Sequence, residues 1–179
     1  MQLHPTSLTF FRILSTPMLI VFFYMPFSWS EVMSIVTFVI AAITDLFDGL
    51  LARYFKKTTK LGTFLDPVAD KIIVVSSLIL VVDWYHVWWI TLPSIAMIIR
   101  EIIILSLREL AADFGEKKCV SVSRIGKWKT FFQMFSLVGM FLKENGLILI
   151  LSVMLLYFSV FLTYYSMIQY FRSSWRLLK

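Results

Sequence analysis

Six apolar stretches of near-bilayer length dominate this chain, at about 8–27, 32–51, 68–83, 87–107, 128–142 and 146–170. A helix needs roughly 20 apolar residues to cross a hydrocarbon core, and only helices or closed barrels satisfy their own backbone there. The pattern predicts an all-α, polytopic integral membrane protein: a six-transmembrane-helix bundle. The first stretch contains Arg12 and Pro17, so a short N-terminal segment is expected to lie along the interface before turning inward. With 59% hydrophobic residues and a mean hydropathy of +0.83, the chain is too apolar for a soluble domain of 179 residues. There is no internal repeat, low-complexity tract or second domain, so residues 1–179 read as one membrane domain.

The net charge of +6 reads as membrane topology rather than as a nucleic-acid surface, because Lys and Arg cluster between the apolar runs. Residues 53–67 hold Arg53, Lys56, Lys57 and Lys60, and residues 108–127 hold Arg108, Lys117, Lys118, Arg124 and Lys127. Of the alternate connections, 25–31 and 83–87 have no Lys or Arg, and 143–146 has only Lys143. The positive-inside rule then places both termini and the two basic loops in the cytoplasm. Trp29, Trp84, Trp88 and Trp89 fall near the opposite interface, as an aromatic belt does. The single cysteine, Cys119, permits no intrachain disulfide, and the opening M-Q-L-H-P-T lacks the basic start of a secretory signal, so no processing is expected.

Four aspartates interrupt this apolar background: Asp45, Asp48, Asp66 and Asp70. A carboxylate near hydrocarbon costs several kcal/mol unless compensated. Asp45, Asp48, Gly49 and Ala52 are spaced i, i+3, i+4, i+7 and share one helical face; Gly62, Asp66 and Asp70 share another. Asp45 lies eight residues before Arg53, roughly 12 Å deeper along a helix axis. Gly49, Ala52 and Gly62 allow a ligand's phosphates or another helix to approach the backbone. Carboxylate oxygens favour Mg²⁺ or Mn²⁺ over zinc, and four carboxylates match the charge of two such ions. A two-metal site clamps a diphosphate and steadies a leaving phosphate, and Arg53 adds a fork to a phosphate oxygen. The alternative is structural: pairing of these aspartates with Arg53, Lys71 or other helices.

The run Asp45-x-x-Asp48-Gly49-x-x-Ala52-Arg53, eight residues, Gly62-x-x-x-Asp66-x-x-x-Asp70 resembles the CDP-alcohol phosphotransferase signature at every fixed position. The resemblance implies six transmembrane helices, a homodimer and a cavity facing the cytoplasm. It implies that Asp45, Asp48, Asp66 and Asp70 hold two divalent cations and that Asp70 is the general base. It also implies that the CDP moiety lies along Asp48, Gly49, Ala52, Arg53, Gly62 and Asp66. Further stretches, P-T-S-L-T-F-F-R, D-P-V-A-D-K, R-E-I-I-I-L-S-L-R-E and S-R-I-G-K-W-K-T-F-F-Q-M, are similar to the bacterial branch of the family whose acceptor is sn-glycerol 3-phosphate. What this implies is transfer of a phosphatidyl group from CDP-diacylglycerol to glycerol 3-phosphate, giving phosphatidylglycerophosphate and CMP, in a bacterial inner membrane.

An acceptor that carries a phosphate dianion needs fixed cations outside the metal site. Arg100 and Arg108 lie at i, i+8 with Ile104 between them, and Lys127, Lys129 and Thr130 open the fifth segment, followed by Gln133. These are the expected glycerol-phosphate ligands; positive-inside anchoring, and neutralisation of Arg100 by Glu101 or Glu109, are the alternatives. Thr9 and Arg12 are candidates for the nucleotide end of the cavity, or else for capping and interfacial anchoring. G-K-W-K-T is no phosphate-binding loop, since neither Ser nor Thr follows the lysine and no strand precedes it. Two rival functions stand beside this one: the same chemistry with phosphatidylglycerol, serine or inositol phosphate as acceptor, and a small cation transporter. The second predicts acidic residues along several helices, whereas Glu31, Asp83 and Glu144 all fall at loops.

Overall fold

The computed structural model describes the backbone of residues 5–55, 60–113, 124–144 and 146–174. Side chains are described within these ranges except at 5–9, 45–55, 60–64, 66, 67, 70, 108–113, 124–127 and 170–174. The described residues form six α-helices: α1 (Pro5–Tyr24), α2 (Ser30–Phe55), α3 (Lys60–Tyr85), α4 (Trp88–Asp113), α5 (Arg124–Phe141) and α6 (Leu147–Ser174). Each expected apolar stretch has its helix. The interfacial start expected for the first stretch is continuous with α1, which runs unbroken through Pro17. Two helices among the described residues carry an uninterrupted stretch long and apolar enough to cross a membrane, Trp88–Leu107 and Leu147–Gln169.

Helices α2 and α3 outrun their apolar stretches at the ends that face each other in sequence. α2 continues to Phe55, and α3 begins at Lys60, eight residues before its hydrophobic run. Hydropathy marks where a segment tolerates hydrocarbon; backbone hydrogen bonding carries on through the charged turns beyond.

The chain divides into two compact units: Met1–Trp84 with Phe141–Lys143, and Tyr85–Met140 with Glu144–Lys179. In the first unit α1 packs along α2, joined by a short connection in which Ser30 N–H donates to the Phe27 carbonyl at 3.0 Å. Leu19, Phe23, Phe38, Ala41, Ile73 and Val81 are buried there, and Phe141 meets the edges of Phe23 and Phe38 at ring centroid distances of 5.6 and 5.4 Å. Lys143 stands in the left-handed region (φ 54°). Its ammonium donates to the Phe23 carbonyl at 2.6 Å, capping the C-terminus of α1, and sits 4.3 and 4.1 Å from the ring centroids of Phe23 and Trp84. Burial lowers the Lys143 pKa, and Glu31 opposes that shift.

In the second unit the buried positions recur with helical period. On α4 they are Ile90, Ser94, Met97, Arg100, Glu101 and Ile104; on α5, Lys129, Gln133, Ser136, Leu137 and Met140; on α6, Ser152, Leu156, Ser159, Thr163 and Ser166. Two bonds fix α5 antiparallel to α6: Ser136 Oγ donates to the Ser152 carbonyl at 2.7 Å and Ser159 Oγ to the Lys129 carbonyl at 3.1 Å. Pro93 has no N–H to give the carbonyl of Trp89. The Tyr157 hydroxyl of α6 supplies the missing donor at 2.9 Å.

Polarity is distributed inside-out. Serines sit at the buried contacts, where Ser34, Ser77, Ser94 and Ser152 each donate to the carbonyl four residues back at 2.7 to 2.8 Å. Large apolar residues line the outside of every helix, among them Leu14, Ile40, Ile79, Leu92, Phe135 and Phe161.

Candidate active site

The signature lies entirely on helical backbone apart from residues 56–59. Asp45, Asp48, Gly49, Ala52 and Arg53 occupy the last turns of α2, and Gly62, Asp66 and Asp70 the first turns of α3. The face-sharing inferred from spacing therefore holds on the backbone: Asp45, Asp48, Gly49 and Ala52 along α2, Gly62, Asp66 and Asp70 along α3. Their side chains lie outside the described residues, as do those of Thr9, Arg108 and Lys127. Among the described residues no group of three His, Cys, Asp or Glu is placed to hold a metal ion. Asp45 and Asp48 on α2 and Asp66 and Asp70 on α3 are all oxygen-donor residue types, the chemistry a hard divalent cation such as Mg²⁺ or Mn²⁺ takes.

Counting outward from the α1–α2 connection, Thr9 and Asp45 lie at matching distances, fifteen residues before Tyr24 and fifteen after Ser30. Arg12, one turn along from Thr9, is 1% exposed. A guanidinium so far from water requires compensation, and Arg12 does have an interaction partner. At the other end of this hairpin a cavity of about 570 Å³ is lined by Phe22, Met25, Phe27 and Trp29, among others. It is apolar and remote from Asp45 and Asp48, so it offers nothing to a diphosphate.

The candidate acceptor cations lie in the second unit. Arg100 and Lys129 are both buried, and both donate to one atom, Oε1 of Glu101: Arg100 Nη1 at 2.9 Å and Lys129 Nζ at 2.7 Å. Arg100 and Ile104 share the buried stripe of α4, as their spacing predicts. Thr130 is exposed and off the buried stripe of α5, whereas Gln133, one turn beyond Lys129, is buried with its Nε2 unpartnered. From sequence alone Glu101 is only a charge that can neutralise Arg100. The signal that finds it is periodicity: Glu101 falls seven residues after Ser94 and three before Ile104, inside the buried stripe.

The CDP-alcohol phosphatidyltransferase family model matches residues 2–165, which include every signature position. The chain belongs to this family. It is 51% identical over 177 residues to a CDP-diacylglycerol–glycerol-3-phosphate 3-phosphatidyltransferase of Yersinia enterocolitica, covering 98% of this chain and 97% of the relative. A protein of the same description from Wigglesworthia glossinidia brevipalpis is 50% identical over 172 residues, covering 96% and 94%. One from Salmonella choleraesuis is 46% identical over 170 residues, covering 95% and 93%.

Proposed function

We propose that this protein transfers the phosphatidyl group of CDP-diacylglycerol to sn-glycerol 3-phosphate, releasing phosphatidylglycerophosphate and CMP in phospholipid biosynthesis. The observation that carries the reading is near-full-length identity of about half to relatives described by that reaction, in a chain that keeps the whole signature.

Asp45, Asp48, Asp66 and Asp70 hold two divalent cations, Mg²⁺ or Mn²⁺. When bound, these ions neutralise the diphosphate and stabilise the charge of the departing CMP. Gly49, Ala52 and Gly62 let the diphosphate approach the helix backbone, and Arg53 grips a phosphate oxygen with its planar fork. Asp70 takes the proton from the sn-1 hydroxyl of glycerol 3-phosphate. The freed oxygen attacks the lipid-side (β) phosphorus, a new P–O bond forms, and the bond to the CMP oxygen breaks. Arg100, Lys129, Arg108 and Lys127 hold the acceptor's own phosphate, with Thr130 beside them, and Thr9 and Arg12 serve the nucleotide end. Positioning and charge stabilisation supply most of the rate, as in other phosphoryl transfers.

The reading places the chain in a bacterial cytoplasmic membrane with six spans, both termini cytoplasmic, and a homodimeric state. The outward apolar residues on every helix and the serines at the buried contacts support a lipid surround. The test is turnover by purified protein in detergent with CDP-diacylglycerol and Mg²⁺, following CMP release with glycerol 3-phosphate, glycerol, serine, inositol phosphate or phosphatidylglycerol. Release with glycerol 3-phosphate alone, stopped by EDTA, is expected. Release with a different acceptor overturns the acceptor assignment and keeps the chemistry.

A further inference from the structure

We infer that Glu101 is a positioning residue for the acceptor phosphate: its carboxylate holds the Arg100 guanidinium and the Lys129 ammonium side by side. The inference rests on the reading of Arg100 and Lys129 as acceptor ligands.

Two cations brought together in a dry interior repel one another and lose their hydration. Glu101 resolves this with a single oxygen, since Oε1 accepts from both. Sharing one acceptor atom brings Nη1 and Nζ close enough for a single phosphate group to touch both. Glu101 therefore offsets one of the two positive charges that Arg100 and Lys129 bring together.

The arrangement is held from three helices. Arg100 and Glu101 stand on α4, Lys129 on α5, and the Lys129 backbone carbonyl accepts from Ser159 of α6. Gln133 adds an independent observation: its amide nitrogen is buried with no partner one turn from Lys129. A buried donor without an acceptor is costly in a finished core, and it is accounted for where a polar ligand arrives. Stability alone does not explain the triad, because apolar side chains of similar volume serve a helical core at least as well as buried ions.

The test is steady-state CMP release by the full chain in detergent, with KM measured separately for each substrate in Glu101→Gln, Arg100→Ala, Lys129→Ala and the double variant Glu101→Gln/Lys129→Ala. The glutamine keeps the shape and removes the charge. Glu101→Gln is expected to raise KM for glycerol 3-phosphate by about tenfold, as loss of a charge-assisted bond does, with KM for CDP-diacylglycerol within about twofold. If Glu101 acts through Lys129, the double variant behaves like the worse single one. An unchanged KM for glycerol 3-phosphate in Glu101→Gln, equal shifts in both KM values, or additive effects overturn the inference. If Glu101→Gln does not fold, Glu101→Asp takes its place: the charge stays, the shorter arm fails to reach both cations, and KM for glycerol 3-phosphate rises about threefold or more. An unchanged value there also overturns the inference. Arg100→Ala and Lys129→Ala separate the two levels. If both leave KM for glycerol 3-phosphate at the wild-type value, the acceptor reading itself falls and the role of Glu101 with it.

Discussion

The hydroxyl of Tyr157 donates to the carbonyl of Trp89, the acceptor that Pro93 leaves without its helical partner. A proline four residues after a carbonyl removes one rung of the helix ladder, and in apolar surroundings the orphaned oxygen is costly. Here another helix replaces the rung, so α4 keeps Pro93 without losing hydrogen-bond satisfaction. Tyr157→Phe is expected to destabilise the protein by about 1–2 kcal/mol, read as a lower melting temperature in detergent. Pro93→Ala restores an N–H at the right place. In that background Tyr157→Phe is expected to cost much less, and an equal cost in both backgrounds refutes the compensation.

Gly139 and Ser152 meet where α5 crosses α6. A Cβ on Gly139 would overlap the Ser152 hydroxyl and lie 3.3 Å from its Cβ. The hydroxyl has little freedom to turn away, because it donates to the Ile148 carbonyl. Gly139→Ala is therefore expected to lose about 1–3 kcal/mol, and Gly139→Ala/Ser152→Ala to recover part of it. Thermal unfolding of the two variants and of Ser152→Ala checks this; a double variant no more stable than Gly139→Ala contradicts it.

Lys143, just past the end of α5, meets α1 through the Phe23 carbonyl and ring and α3 through the Trp84 ring, from a backbone conformation unfavourable to lysine. Lys143→Asn tolerates that backbone but reaches none of the three contacts, and a loss of about 1–2 kcal/mol is expected. Burial lowers the lysine pKa, with Glu31 opposing. Between the folded pKa and the unfolded value near 10.5 the unfolded chain binds more protons, so this group's contribution to stability rises with pH through that window. Lys143→Asn is expected to flatten that rise in urea unfolding measured across the alkaline range up to pH 10.5; an identical slope in the two proteins counts against it.

Much of this architecture is legible in one dimension. Six apolar stretches become six helices, and the signature spacing becomes two shared faces, because both rest on the helical period alone. Helix ends are less legible: α2 and α3 continue through charged residues that hydropathy counts against them. Pairings between distant residues are least legible. Nothing local to Trp89 announces that Tyr157, 68 residues on, caps it. Glu101 and Lys129 are separated by 28 residues, and the sequence offers several carboxylates and cations that could have paired otherwise. The stripe of α4 says that Arg100 and Glu101 are inside; only the packing of α4 against its neighbours says what they meet there.

The aspartates supply the sharpest functional prediction. On the proposed reading each is a ligand to a divalent cation, so removing one charge weakens metal binding as well as chemistry. Asp45→Asn, Asp48→Asn and Asp66→Asn are each expected to cut CMP release by at least about a hundredfold while the protein still elutes as a folded species. Asp70→Asn should be at least as damaging, since it loses the proton acceptor too. Mn²⁺ binding, followed by the loss of its free-ion electron paramagnetic resonance signal, gives a readout independent of turnover. Titrations should weaken in all four variants, and EDTA should abolish wild-type activity reversibly. Wild-type Mn²⁺ binding in Asp48→Asn would show that α2 does not contribute this ligand. Full turnover in the same variant would return these carboxylates to structural pairing with basic residues such as Arg53 and Lys71.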